Sequence, residues 1–82
     1  MMRRRVYVRV VVEYDEAGGV KPLIIFWEDG RKFRIDRLLD VRRAAATKAG
    51  GHGIRYTCRI LDRETYLFED NGRWFVEEKD RC

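Results

Sequence analysis

Arg5-Val6-Tyr7-Val8-Arg9-Val10-Val11-Val12-Glu13 carries an apolar residue at every second position. Successive side chains of an extended chain point to opposite faces, so Val6, Val8, Val10 and Val12 share one face, with Arg5, Tyr7, Arg9, Val11 and Glu13 on the other. The valine content favours a strand over a helix. The same period returns downstream, where Ile54, Tyr56, Cys58 and Ile60 alternate with Arg55, Thr57 and Arg59. Two such stretches, each apolar on one side and rich in arginine on the other, set the expectation for the whole chain. It is an antiparallel β protein with a buried inner face and a basic outer one.

Working outward, Asp15-Glu16-Ala17-Gly18-Gly19 reads as a loop or hairpin turn. A second strand follows from about Val20 to Glu28. Leu23, Ile25 and Trp27 point one way and Ile24 and Phe26 the other, so it is expected to be central or covered by a loop. Pro22 donates no ladder hydrogen bond and belongs near the strand start or at an edge. Asp29-Gly30 predicts a tight turn of the primed type. The third strand begins near Arg31, with Phe33 and Ile35 inward and Lys32, Arg34 and Asp36 outward. Its pattern breaks at Leu38-Leu39. A β-bulge or bend would let Leu39 and Val41 resume the buried row. The rival is a short helix from about Leu38 to Lys48, with Asp36 near its cap. A bent strand to about Val41 or Arg42 is favoured, followed by a flexible loop at about 43–53 that contains Gly50, Gly51 and Gly53.

After the Ile54–Ile60 strand, Asp62-Arg63 predicts a turn. Glu64–Glu69 follows, with Tyr66 and Phe68 on one side and Thr65 and Leu67 on the other. Asp70-Asn71-Gly72 is a hairpin signal. Arg73–Glu77 places Trp74 and Val76 opposite Phe75, and 78–82 reads as a frayed tail. Six short strands with one long loop predict an all-β fold, a small curled antiparallel sheet or SH3-like barrel. The single domain is expected to span 1–82 with its core at about 3–77. Closure would bury one face and remove exposed edges together. With 82 residues and 9.8 kDa, only about 60% of the unfolded surface is hidden, too thin a core for a deep substrate cavity.

The chain carries 18 Lys and Arg against 14 Asp and Glu, a formal net charge of +4. Fourteen of the basic residues are Arg, the better side chain for bidentate contacts to phosphate and for lying on aromatic faces. The charge is segregated: net +4 over 1–12, −4 over 13–30, +7 over 31–59 and −3 over 60–82. Arg5, Arg9, Arg34, Arg55 and Arg59 alternate with core positions and are expected to face outward, with Tyr7 as an aromatic among them. Arg42 and Arg43, joined by Lys48 and His52, would add a basic rim. An aromatic within an arginine field suits nucleic acid, through stacked bases and held phosphates. The plainer reading pairs the arginines with Glu13, Asp36 and Glu64 across strands, for solubility alone.

Catalysis is not expected. His52, the sole histidine, lies in a glycine-rich stretch, and alternation buries Cys58 away from any base. Asp36 and Asp40 flank a bend without enough companions for a metal site, and are expected to accept hydrogen bonds from Arg37 or nearby backbone. Gly50-Gly51-His52-Gly53 lacks the Lys-Ser/Thr ending of a phosphate loop. Cys82 is expected to be a loose thiol. No cofactor or metal is expected. No apolar run approaches the ~20 residues of a membrane span, and no small-residue cleavage site follows the basic start, so a cytoplasmic location is expected.

The stretch Phe26-Trp27-Glu28-Asp29-Gly30-Arg31-Lys32-Phe33-Arg34-Ile35, continuing Asp36-Arg37-Leu38-Leu39-Asp40, resembles a small bacterial β-domain family of unknown function. Arg55-Tyr56, Tyr66-Leu67-Phe68 and Arg73-Trp74 are similar to the same pattern, so the likeness covers about residues 22–77. Such a domain is sometimes associated with lesion-bypass DNA-polymerase-like proteins, so the resemblance implies DNA-linked accessory work and supplies no catalytic residue. The expected function is a non-enzymatic accessory or protein-interaction domain, with a protein partner or self-association. The alternative is a nucleic-acid-binding module using Arg5, Tyr7, Arg9, Arg34, Arg42, Arg43, Arg55 and Arg59.

Overall fold

The computed structural model describes residues 3–45 and 52–79. They form seven antiparallel strands: β1 (Arg3–Tyr14), β2 (Val20–Phe26), β3 (Lys32–Arg34), β4 (Arg37–Ala45), β5 (His52–Ile60), β6 (Arg63–Asp70) and β7 (Arg73–Lys79). Their order in the sheet is β3-β2-β1-β7-β6-β5-β4. The two outermost strands, β3 and β4, are consecutive in the chain and joined only by Ile35-Asp36. The sheet must therefore curl until its edges meet. Two backbone hydrogen bonds fix the meeting point: Ile35 N–H donates to Leu23 O at 2.9 Å and Asp36 N–H to Arg59 O at 2.9 Å. The result is a strongly curled half-barrel, as the alternation predicts.

β1 is long enough to serve both walls. Arg3 to Val8 pair with β7, and Arg9 to Tyr14 pair with β2. The curl brings Val6, Ile25, Tyr56, Cys58, Ile60, Leu67 and Val76 into one buried cluster. Trp27, Phe33, Leu38 and Trp74 pack against it. Each residue comes from the alternating set on its strand, so one face of a sheet supplies the whole inner core.

The fold departs from the sequence expectation at several places. The third strand is two strands. The chain kinks at Ile35-Asp36, and β4 runs on to Ala45 in register with β5. That replaces the helix alternative over 38–45 and shortens the expected 43–53 loop, because 43–45 and 52–53 are ladder residues. Residues 46–51, with Lys48 among them, lie outside the described residues, as do Cys82 and the rest of 80–82. The expected tail begins later than residue 78, because β7 pairs with β1 as far as Lys79. Leu38, not Leu39, takes the inner place opposite Cys58, and the register then shifts. Leu39 is the extra residue of this bulge and is 38% exposed. Val41 faces Tyr56 but is 47% exposed, so it does not continue the buried row as expected.

The turns also differ in kind. Trp27 and Arg31 bracket a wider hairpin loop, in which Gly30 N–H donates to Trp27 O at 3.0 Å and only Gly30 has positive φ. This is a type I turn followed by a left-handed glycine, not the expected primed turn. The Asp15 loop repeats the design, with Gly18 N–H donating to Asp15 O at 3.1 Å. Asn71 and Gly72 do form a primed turn, with φ of 53° and 80°. The turn after β5 falls one residue earlier than expected, on Leu61 and Asp62, with φ of 51° and 62°. Pro22 is fully buried, opposite Val12, where the β1–β2 register shifts past Leu23.

Candidate nucleic-acid interface

The outer face is not the plain solvated surface that alternation suggests. Following the register across the sheet, Arg42 faces Arg55, Arg55 faces Phe68, Phe68 faces Phe75, and Phe75 faces Tyr7. One row thus crosses β4, β5, β6, β7 and β1. Phe68 and Phe75 stack with ring centroids 5.3 Å apart and 12° between planes, and Tyr7 tilts against Phe75 at 5.6 Å. Both phenylalanines are buried, Phe75 to 1% exposure, although they lie outside the barrel core.

Arginines contribute to this cover. The Arg5 guanidinium carbon is 4.4 Å from the Phe75 ring centre, and that of Arg73 is 4.0 Å from Tyr7. Arg55 lies 4.6 Å over Tyr66. A guanidinium flat on an aromatic ring keeps its in-plane N–H groups for another acceptor. Next to this row on β1 is a second. Arg9 faces Phe26, which faces Lys32. Arg9 sits 5.3 Å from the Phe26 ring centre and the Lys32 ammonium 6.0 Å. Between β1 and the β6–β7 hairpin runs an open groove of about 380 Å³ lined by Tyr7, Arg9, Arg73 and Trp74.

Among the described residues, Arg5, Arg9, Arg55 and Arg73 enter no ion pair; the pairs that form use Arg4, Arg31 and Arg42. Arg5 donates to the Tyr7 hydroxyl at 3.3 Å. Its Nη2, and Nε of Arg55, are sealed from solvent without a hydrogen bond. Arginine also faces arginine twice across β4–β5, Arg42 with Arg55 and Arg37 with Arg59. Like charges directly opposite each other destabilise a sheet. Asp40 offsets one member, accepting from Arg42 Nε at 2.7 Å, so its hydrogen bond is with Arg42 and not with Arg37.

Of the expected site residues, Arg5, Tyr7, Arg42 and Arg55 meet in one band, with Arg9 adjoining. Arg34 lies outward on another wall, opposite Ile24, and Arg59 lies toward the bend, between Arg37 and Glu64. Arg43 faces Ile54, an inner-face residue, and so leaves the band. Tyr7 is 44% exposed, but Arg73 and Phe75 already occupy its ring, so it is not an open base-stacking platform. Of the acids expected to neutralise the face, Glu13 faces Lys21 and Glu64 faces Arg59, while Glu77, which was not among them, stands opposite Arg5. Sequence reasoning passes over Arg73 because it follows a turn, yet it shares the face of Phe75, two residues on, which is signal enough.

No thiol chemistry competes for this face. Cys58 is fully buried among apolar side chains, and burial pushes its pKa up to about 11 from an ordinary 9.0. Tyr56, beside it in the core, is raised above 10.0 chiefly by burial. Asp29 is lowered, first by the hydrogen bond from the Arg31 backbone N–H. Among the described residues no cluster of His, Cys, Asp and Glu has the makings of a metal site, and no helix is long and apolar enough to cross a membrane. No family model, no curated protein and no solved structure matches the chain.

Proposed function

We propose that this chain is a non-enzymatic binding module that holds the phosphate backbone of a single-stranded nucleic acid across its arginine–aromatic band. The observation that carries the reading is the set Arg5, Arg9, Arg55 and Arg73, each stacked on a ring and each without an ion pair among the described residues. Stacking fixes a guanidinium in advance, so less side-chain entropy is lost when it meets a phosphate. The facing arginines of β4 and β5 gain stability once an anion lies between them. Contacts to the backbone alone give affinity without much choice of sequence. The alternative is a protein-contact role, which would use the region where β6 and β7 part.

Titrating a fluorescein-labelled single-stranded oligonucleotide at several salt concentrations tests this. If four arginines each hold one phosphate, log K falls against log salt with a slope of about −3. Arg9→Glu with Arg73→Glu should abolish binding and leave the circular dichroism spectrum unchanged. Absence of binding at low salt, or affinity indifferent to salt, overturns the reading.

A further inference from the structure

The half-barrel has a seam. β6 and β7 leave their hairpin paired through Asp70↔Arg73, Glu69↔Trp74 and Phe68↔Phe75, and there the ladder stops. From that point β7 follows β1 as far as Arg3↔Lys79, while β6 follows β5 as far as Ile60↔Arg63. Between the diverging strands lies a cleft of about 750 Å³. Its floor is apolar, made by Ile25, Trp27 and Phe33 from the opposite wall, and its β6 side is Thr65, Tyr66 and Phe68.

Backbone chemistry says what shape fits. The two-residue turn at Asn71-Gly72 is closed by Asp70 and Arg73, and hydrogen-bonded pairs recur at every second residue beyond it. The β6 N–H and C=O groups aimed toward β7 therefore belong to Phe68, Tyr66 and Glu64. Phe68 meets Phe75; at Tyr66 and Glu64 no β7 residue completes the ladder. Only another extended chain offers donors and acceptors at that repeat.

The lip of the cleft points the same way. Leu61 occupies a left-handed position where Asn or Gly is the usual choice, and it is 72% exposed. Tyr66, along the same wall, is 47% exposed. A large apolar side chain held in a strained turn beside an apolar cleft has no folding rationale, and strain of this kind gathers at ligand contacts. The rim carries both signs, Arg31 and Arg63 beside Glu64 and Glu78, and so does not favour a phosphate chain.

We propose that this seam is a peptide site: an extended segment of a partner protein adds to the Glu64–Leu67 edge of β6 and sets alternate apolar side chains over Trp27 and Phe33, beneath Leu61. The site shares the Tyr66 and Phe68 side chains with the arginine band, Tyr66 being the ring beneath Arg55, but it is read through the β6 backbone edge and the opposite wall and not through guanidinium groups.

The test selects hexapeptides from a display library, degenerate at every position, on the full chain with excess single-stranded oligonucleotide present to occupy the arginine face. A selected hexapeptide, made synthetically, is then titrated against isotope-labelled protein. The expected result is enrichment of sequences apolar at alternate positions, with amide shifts and slowed exchange at Glu64 and Tyr66. Glu64→Pro removes one N–H from an open edge that tolerates proline, and should weaken the peptide by about tenfold while leaving oligonucleotide affinity unchanged. Leu61→Asn should raise the melting temperature and weaken the peptide. Methylating the peptide backbone nitrogens should abolish binding. The proposal is overturned by no enrichment, by shifts confined to the arginine band, by equal binding of the methylated peptide or displacement by decanoate, or by a concentration-dependent dimer blocking the seam.

Discussion

Replacing Arg5 and Arg55 by methionine separates an arginine that fastens the fold from one kept for a ligand. Each guanidinium lies over an aromatic ring, at 4.4 Å from Phe75 and 4.6 Å from Tyr66. Losing a partly desolvated cation–π interaction costs about 0.5–2 kcal/mol. Each side chain also seals one nitrogen from solvent with no hydrogen bond, Nη2 of Arg5 and Nε of Arg55. Removing an unsatisfied buried polar group returns about 1–3 kcal/mol. Methionine keeps an unbranched chain over the ring and adds a sulfur–aromatic interaction of about 0.3–1.5 kcal/mol. The terms sum to between about −0.7 and +4 kcal/mol at each site, centred on a stabilisation of about 1.6 kcal/mol. In a domain of this size the central value raises the melting temperature by about 6–13 °C per substitution. Oligonucleotide binding should meanwhile weaken, with the salt slope shallower by about 0.7 for each phosphate no longer held by an arginine. Urea unfolding and the oligonucleotide titration read the two effects separately. Destabilisation by more than about 2 kcal/mol per arginine, with binding untouched, would show that these side chains are structural and refute the reasoning.

Other outcomes follow from the same structure. Leu67→Ala, at a position with 0% exposure, should lose about 2–5 kcal/mol in chemical denaturation; a loss below about 1 kcal/mol would mean that the inner face is not the core. Gly72→Ala forces a side chain into φ of 80° and should cost about 1–2 kcal/mol by the same assay; no loss would mean that the turn does not need its left-handed glycine. Cys58 sets a pH limit: its folded pKa is raised, so its contribution to stability is present in full below about 9.0 and is lost as pH rises through about 11. Tyr56, also raised, adds to the fall at high pH. Cys58→Val should flatten the stability–pH curve above pH 9.0, and an unchanged slope would assign the loss elsewhere. In a Cys82→Ser background, Cys58 should resist thiol reagents until the chain unfolds, measured as labelling rate against denaturant.

Much of this protein is written in its period. Val6, Tyr56, Cys58, Leu67 and Val76 are inner residues because every second side chain of a strand shares a face, a local rule that requires no knowledge of the fold. For the same reason Arg5, Arg9 and Arg55 could be placed outside in advance. What lay beyond the sequence depends on which strands become neighbours. That Arg55 faces Phe68, that Phe75 is buried on the outer side, and that Arg73 joins the band follow from register across strands distant in the chain. Leu39 came out exposed because a bulge absorbs one residue, and periodicity locates a break without saying which residue is extra. The seam between β6 and β7 was invisible for a deeper reason. Each strand alone reads as an ordinary half-buried strand, and only the competing claims of β1 on β7 and of β5 on β6 pull the two apart.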